Sequence, residues 1–275
     1  MSYDNRHSHS HHHHHHHHRS SSDKVRKLFS FLLGAAGVLF AVFVGFAVFS
    51  PATLHLVTDQ LNLFVSEPRN RHLALDFDGI DVSHHQGDID WDKVAADTRV
   101  RFVYIKATEG YTYLDSLYLI NIDEARRAGV KVGSYHYLTS SSPVTLQFRS
   151  FSHFAAKEKQ DLIPMVDVEQ EGVRGWTHRQ LRDSLSRFAA LVKAHYGKAP
   201  LIYSYAKFYN SHLAPHFNEY QLFLARYSPE SPVVRGAGRH NIWQHTDQGT
   251  VDGISTAVDL DVFAEGTTLE DLLLK

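Results

Sequence analysis

The sequence predicts an α/β fold, a TIM-like β/α barrel preceded by a single transmembrane helix. Three observations predict it. From about residue 76 onward, apolar runs of strand length alternate with amphipathic helical segments. Polar and aromatic residues recur at the carboxyl ends of those runs. One uncharged apolar stretch, residues 28–49, stands ahead of them all. Alternation of this kind places parallel strands inside and helices outside. In a closed barrel the carboxyl ends of the strands converge on one face, where such side chains build a site. The strands are short and the later helices weak, so an open sheet is the alternative.

The amino-terminal 75 residues read as three pieces. Residues 1–27 form a His-rich polar tail, with a run from His11 to His18 that is either an expression tag or native. Residues 28–50 read as a transmembrane signal anchor. The stretch LFSFLLGAAGVLFAVFVGFAVF carries no charge, and as a helix rising ~1.5 Å per residue it would cross a hydrocarbon core of ~30 Å. A cleaved signal is the alternative, although Phe49 and Pro51 suit a cleavage site poorly. Arg19, Lys24, Arg26 and Lys27 precede the stretch, which leaves the tail in the cytoplasm and sends the remainder outside. The expected membrane partnership is this one helix. Residues 51–75 read as a stalk, and 76–275 as one domain. A net charge of -2 and no long basic run give no reason to expect a nucleic-acid partner. With no cysteine, disulfides, thiolate metal sites and cysteine nucleophiles are excluded.

Within the domain the elements follow in order. Residues 77–83 form a strand, 91–97 a short helix and 101–110 a strand. Residues 115–128 form a helix with Leu117, Ile120 and Ala125 inward. Residues 130–138 form a strand, and Pro143 opens a helical segment to about residue 159. Residues 162–169 form a strand. Thr177 and Gln180 make a capping box for a helix to about His195, with Leu181, Leu185, Phe188 and Val192 on one face, and Gly197 stops it. Residues 200–205, 221–227, 241–246 and 256–263 form the later strands.

The segment PMVDVEQ, 164–170, carries Asp167 and Glu169 two positions apart in an apolar strand. On a strand such residues share a side, with Cα atoms about 6.5–7 Å apart. Two carboxylates so close disfavour joint ionisation, so one is held protonated and serves as a general acid while the other stabilises positive charge. That division suits glycosidic-bond cleavage. Three alternatives stay open: a strand-end pair engaged in salt bridges or helix capping; a hard-oxygen metal site of Asp81, Asp167, Glu169 and Asp259, joined by His84, His85 or His136; and a sugar-binding module without catalysis. Asp81 ends the first strand. In VDLD, one of Asp259 and Asp261 is expected to face the pocket and the other to be solvated. Tyr135 and Tyr137 share one strand face, with His136 on the other. Tyr203, Tyr205, Tyr227 and Trp243 also lie near strand ends, and together these rings suggest a groove that stacks on sugars. Lys106 and Glu109 are a further charged pair at a strand end, placed either to orient the site beside the substrate or merely to bond a loop.

These segments together resemble the family 25 glycoside hydrolases, lysozymes that cleave bacterial peptidoglycan. The resemblance rests on GIDVSHHQGDIDW (79–91), FVYIKATEG (102–110), GSYHY (133–137), PMVDVE (164–169), LIYSY (201–205), IWQHT (242–246) and VDGISTAVDLDVF (251–263). It implies a modified, irregular barrel and hydrolysis of the β-1,4 bond between N-acetylmuramic acid and N-acetylglucosamine in peptidoglycan glycan strands, with no metal or cofactor. It implies Glu169 as proton donor and Asp167 as the orienting or stabilising carboxylate. Asp81 and Asp259 would line the pocket base, and Tyr135, Tyr137, Tyr203 and Trp243 the saccharide. Two positions depart from the family pattern: Asp261 stands where Asn is usual, and Arg226 sits in LARY. A noncatalytic peptidoglycan-binding protein, a partner that recruits wall enzymes, and a glycosidase acting on chitin are the alternatives. With the anchor, the expected location is the bacterial inner membrane, single-pass, with the catalytic domain extracytoplasmic (periplasmic in a Gram-negative cell). No oligomer is implied.

Overall fold

Strand pairing closes on itself in the computed structural model, which describes residues 76–275. The strands are β1 (Gly79–Val82), β2 (Phe102–Glu109), β3 (Tyr113–Leu114), β4 (Lys131–Tyr137), β5 (Met165–Asp167), β6 (Leu201–Tyr205), β7 (Leu222–Ala225), β8 (Ile242–Gly249) and β9 (Val258–Phe263). Their order is β1-β9-β8-β7-β6-β5-β4-β2-β3, and an added β1–β2 pairing makes the barrel. That pairing excludes the open sheet. Barrel neighbours among β1, β2, β4, β5, β6, β7 and β8 run parallel, and the two-residue β3 is antiparallel to β2 at the edge. The expectation of uniformly parallel strands fails at β9, which is antiparallel to both β8 and β1. Only residues 250–257 separate β8 from β9, and a parallel return needs a crossover of about a dozen residues or more.

The helices are α1 (Trp91–Ala96), α2 (Tyr118–Ala128), α3 (Val144–Phe154), α4 (Gln170–Val173), α5 (His178–Tyr196) and α6 (Leu269–Leu272). The longest, α5, starts at the expected capping box. The Gln180 amide donates to Thr177 Oγ1 at 3.3 Å, and the Thr177 amide to Gln180 Oε1 at 2.9 Å. It ends at Gly197, whose φ of 97° suits a residue without Cβ. Its buried stripe contains Leu181, Leu185, Phe188 and Val192, as the periodicity predicts. In α2 the inward face is different from the expected one. Tyr118, Ile122 and Ala125 are buried, whereas Leu117 is the cap residue and Ile120 is 60% exposed. Two polar contacts set this phase: the Leu117 amide donates to Asp115 Oδ1, and the Tyr118 hydroxyl bonds Ser134 Oγ at 2.8 Å. Past β6 the outer layer is irregular. Short turns, Ala206–Phe208 and Tyr209–Leu213, stand where a full helix would complete the repeat.

Aromatic rings fill the barrel interior. Phe102 meets Tyr104 and Phe263, and Phe223 meets Tyr104 and Tyr203, with ring centroids 5.1–6.4 Å apart. Glycines make room for them. A Cβ on Gly79 would stand 2.4 Å from the Phe102 ring, and one on Gly133 2.4 Å from the Tyr104 ring. Tyr104 cannot simply rotate away, because its buried hydroxyl donates to the Ile163 carbonyl at 3.0 Å. Gly133→Ala is therefore expected to cost about 1–3 kcal/mol of stability through overpacking. A denaturant midpoint equal to that of the parent would mean that the ring shifts freely.

The membrane expectation is corrected here. Among the described residues no helix is long and apolar enough to cross a membrane. The longest, α5, carries Arg179, Arg182, Asp183, Arg187 and Lys193. The tail at 1–27, the anchor at 28–50 and the stalk at 51–75 lie outside the described residues. Apolarity in a sequence establishes only that a helix there could span. The transmembrane helix, the membrane partnership and the inner-membrane location expected from the sequence are withdrawn on that finding.

Candidate active site

The carboxyl ends of the strands surround a cavity of ≈ 270 Å³. Its lining comprises Asp81, Val82, Ser83, His85, Gln86, Tyr135, Met165, Asp167, Glu169, Tyr203, Tyr205, Tyr227, Gln244, Asp247 and Asp259. Five of these are carboxylic acids and none is Lys or Arg. Strand alternation explains the arrangement, since inward residues recur every second position.

Asp167 ends β5, paired in register with Tyr137 of β4 and Tyr203 of β6. Glu169 lies just beyond the strand. The intervening Val168 is tied to β6 from both sides: its amide donates to the Tyr203 carbonyl at 3.0 Å, and its carbonyl accepts from Ser204 Oγ at 2.8 Å. The chain therefore stays extended through Glu169 (φ -120°, ψ 155°) before α4 begins. Both acids consequently reach the cavity, as the two-residue spacing predicts. Asp81 and Asp259 face one another across the antiparallel β1–β9 pair and are hydrogen-bonded to each other.

Electrostatics follow from this crowding. Burial, then the Glu169 charge, pushes Asp167 well above the usual carboxylate range, while the Lys106 ammonium opposes. Burial pushes Glu169 up to about 7, helped by Glu171 and opposed by Lys106. Burial and Asp259 raise Asp81 strongly. Burial and Asp247 push Asp259 up to about 7. The set thus holds protons near neutrality that isolated carboxylates would have lost.

Gln244 organises the base of the cavity. Its Nε2 donates to Asp81 Oδ2 at 2.6 Å, and its Oε1 accepts from the hydroxyls of Tyr203 and Tyr227 at 2.8 and 2.7 Å. Tyr205 and Tyr227 stand at the rim, rings 6.0 Å apart and edge to face, with 40% and 37% exposure. Ser83 caps the short turn His84–Gln86, and Gln86 answers by accepting from the Ser83 amide at 2.9 Å.

Of the sequence-predicted residues, Glu169, Asp167, Asp81, Asp259, Tyr135, Tyr203 and Tyr227 come together in this cavity. Lys106, Glu109 and Tyr137 stand beside it. Lys106 Nζ bonds Glu109 Oε2 at 2.8 Å and lies 4.9 Å over the Tyr137 ring. Trp243 is outside the lining. Gln244 points inward, so its neighbour points outward, and the Trp243 indole donates to the Arg226 carbonyl at 2.8 Å. Gln244, Ser83, Gln86, Met165 and Asp247 are lining residues that sequence reasoning missed. The signal for Gln244 was present in IWQHT, a polar residue inside an apolar strand, but the tryptophan beside it drew the assignment.

Of the three histidines weighed for a metal site, His85 lines the cavity with the acids, whereas His136 and His84 are engaged elsewhere. His136 is fully buried between Thr108 Oγ1 (2.8 Å) and Gln147 Oε1 (3.1 Å) and stacks on Phe188, and burial pushes it down to about 4. His84 bonds Asp115 at 2.6 Å. Among the described residues no group of three or more His, Asp or Glu side chains is placed to hold a metal ion.

Asp261 corrects another expectation. It is not solvated but 0% exposed, points into the barrel two residues below Asp259, and neither carboxyl oxygen has a hydrogen-bond partner. Burial, then Asp81 and Asp259, raises it well above its ordinary value. A group raised on folding contributes stability that is present below its unfolded value, ~3.9, and lost as pH rises through the folded one. Asp261→Asn is therefore expected to raise Tm more at pH 8 than at pH 4. Thermal scans giving an equal shift at both pH values would mean that Asp261 titrates normally.

A closed barrel with clustered, proton-holding carboxyls beneath a tyrosine rim has the parts that glycosidic-bond hydrolysis requires. The comparisons agree. The family described as Glycosyl hydrolases family 25 matches residues 80–254, and the chain belongs to it. It is 38% identical over 198 residues to YegX, an uncharacterised protein of Escherichia coli, covering 70% of this chain and 71% of that one. It is 35% identical over 188 residues to the autolytic lysozyme of Clostridium acetobutylicum, covering 68% of this chain and 56% of that one. The crystal structure of a lysozyme from Streptomyces coelicolor superposes with a TM-score of 0.65 at 29% identity, covering 72% of this chain and 95% of that one.

Proposed function

We propose that this chain is a peptidoglycan muramidase in which Glu169 and Asp167 divide the chemistry of cleaving the β-1,4 bond between N-acetylmuramic acid and N-acetylglucosamine. The observation that carries the reading is the different setting of two adjacent acids. Glu169 is half-buried at the cavity mouth and pushed up to about 7, so it holds a transferable proton near neutral pH. Asp167 is buried deeper, beside Lys106, with Oδ1 unpartnered.

Glu169 gives its proton to the glycosidic oxygen as the C–O bond breaks. The substrate's own N-acetyl oxygen bonds the anomeric carbon from the other side, and Asp167 accepts the acetamido N–H and balances the positive charge that develops there. Water then attacks the anomeric carbon, gives its proton to Glu169 and releases the N-acetyl oxygen, so the configuration is retained. Asp81, held by Gln244, and Asp259, bonded to Asp81, keep the base of the cavity polar, and Tyr135, Tyr203 and Tyr227 present ring faces and edges to the sugar.

The test is reducing-end release from purified peptidoglycan, with mass spectrometry of the products and NMR of the first-formed anomer. Fragments ending in reducing N-acetylmuramic acid with retained configuration are expected. Inversion would discard N-acetyl participation and make Asp81 or Asp259 the base for water. Intact glycan would overturn the muramidase reading.

A further inference from the structure

A second cavity, ≈ 440 Å³, adjoins the first, and Tyr205 lines both. Its chemistry is the opposite. Where the first presents five carboxylic acids and no cation, the second presents Lys207 and Arg226 over an apolar floor of Ala206, Ala225 and Val233. Val233 is 73% exposed at the edge of this cavity, open to an incoming apolar group. Arg226 is held in place by the following loop: its guanidinium donates to the Ser231 carbonyl at 3.1 Å and pairs with Glu230 at 3.0 Å. Glu230 is itself 80% exposed, and a surface pair of that kind is worth only ~0–1 kcal/mol, so an incoming carboxylate can replace it. Lys207 is exposed and makes no ion pair among the described residues.

We propose that this second cavity is a subsite for the peptide branch of the glycan, taking a carboxylate on Lys207 and Arg226 and a small apolar side chain against Val233 and the two alanines. The proposal rests on the muramidase reading of the first cavity. Its physical basis is a charge conflict. The muramyl sugar carries its branch through a lactyl group, and the branch bears carboxylates. A bare acid-lined groove repels such a chain, and cations one side chain away, across Tyr205, offset that repulsion and fix which sugar lies over Glu169. The subsite therefore discriminates between glycan that still bears peptides and glycan that has been stripped of them.

The experiment compares kcat and KM of the full chain on intact peptidoglycan and on the same material after an amidase has removed the peptides, leaving only the lactyl carboxylate. Lys207→Glu and the Lys207→Ala/Arg226→Ala pair are assayed on both. On intact material kcat/KM is expected to fall about tenfold, mainly through KM, as for loss of a charged hydrogen bond. The loss should shrink at high salt. On stripped material the change should stay within about twofold, the range of an exposed charge remote from the contact. An equal loss on both substrates overturns the proposal, either because the cations bind the lactyl group or because the variants are damaged. Lys207→Glu, an exposed change, separates these two by its Tm. Wild-type levels on both also overturn it. Inactivity of the parent chain on both substrates overturns instead the muramidase reading on which the proposal rests.

Discussion

Glu169→Gln is expected to lower kcat on peptidoglycan by about 10²–10⁴-fold, the usual worth of a positioned general acid. The substitution keeps size and shape and removes only the transferable proton. It should leave folding intact, because Glu169 stands at the start of α4 without making a side-chain cap hydrogen bond. The sign of the stability change can be stated as well. Folding raises this carboxyl to about 7, so its contribution is present below ~4.3 and lost as pH rises through 7. Gln carries no such loss, and the variant should melt no lower than the parent at pH 8. An inactive variant with an unchanged Tm separates catalysis from damage. The parent's kcat/KM should fall as pH rises through about 7, with the limb belonging to the coupled carboxyl set. The variant should recover on an aryl glycoside whose leaving group needs no proton. Undiminished kcat on peptidoglycan would take the acid role from Glu169.

Much of this site was legible because its acids sit at strand ends with period-two spacing. Asp167 and Glu169 needed only the rule that alternate residues share a face, and Val168 bonded to β6 on both sides is why the rule survives past the last strand residue. The helix over His178–Tyr196 was legible for a similar reason, since its cap, stripe and stop are all local signals. What stayed hidden was long-range. Trp243 looked like a sugar platform until β8 was paired with β7 and β9, which fixes Gln244 as the inward residue. Ile120 fell on the wrong face because the Leu117 amide's bond to Asp115 and the Tyr118 hydroxyl's bond to Ser134, on another element, together set the rotation of α2.

Asp261 illustrates the limit most sharply. Alternation alone puts it on the same face as Asp259, yet a buried unpartnered carboxyl costs enough that a reader of the sequence assigns it to solvent. The barrel accepts it because a carboxyl so buried keeps its proton. The antiparallel return of β9 likewise depends on a loop length whose meaning appears only once the barrel is closed. Local pattern thus located the acids, and pairing decided which side chains accompany them.

Asp167→Asn is expected to lower kcat by about 10²–10³-fold, the scale measured for one preorganised electrostatic contact in a transition state. KM should change little, because the charge it balances does not exist in the ground state. The resting site favours this division. Burial and Glu169 hold Asp167 well above the usual carboxylate range in the free protein, with Lys106 alone opposing. As the N-acetyl oxygen closes on the anomeric carbon, positive charge appears beside Asp167 and favours its ionised form at that moment. Stabilisation is then selective for the transition state. Asparagine keeps an acceptor oxygen for the acetamido N–H but carries no charge, whereas alanine loses both. If Asp167→Asn retains kcat within about threefold, less than the ~1 kcal/mol of a neutral hydrogen bond, while Asp167→Ala does not, Asp167 only orients the N-acetyl group. If both fall together, charge is what it supplies. Folding offers an independent check in the opposite direction. A carboxyl raised on folding stabilises only at low pH, so Asp167→Asn should raise Tm at pH 8 while it disables the enzyme. A protein that becomes more stable as it loses its chemistry is the signature of an acid kept in place for the reaction rather than for the fold.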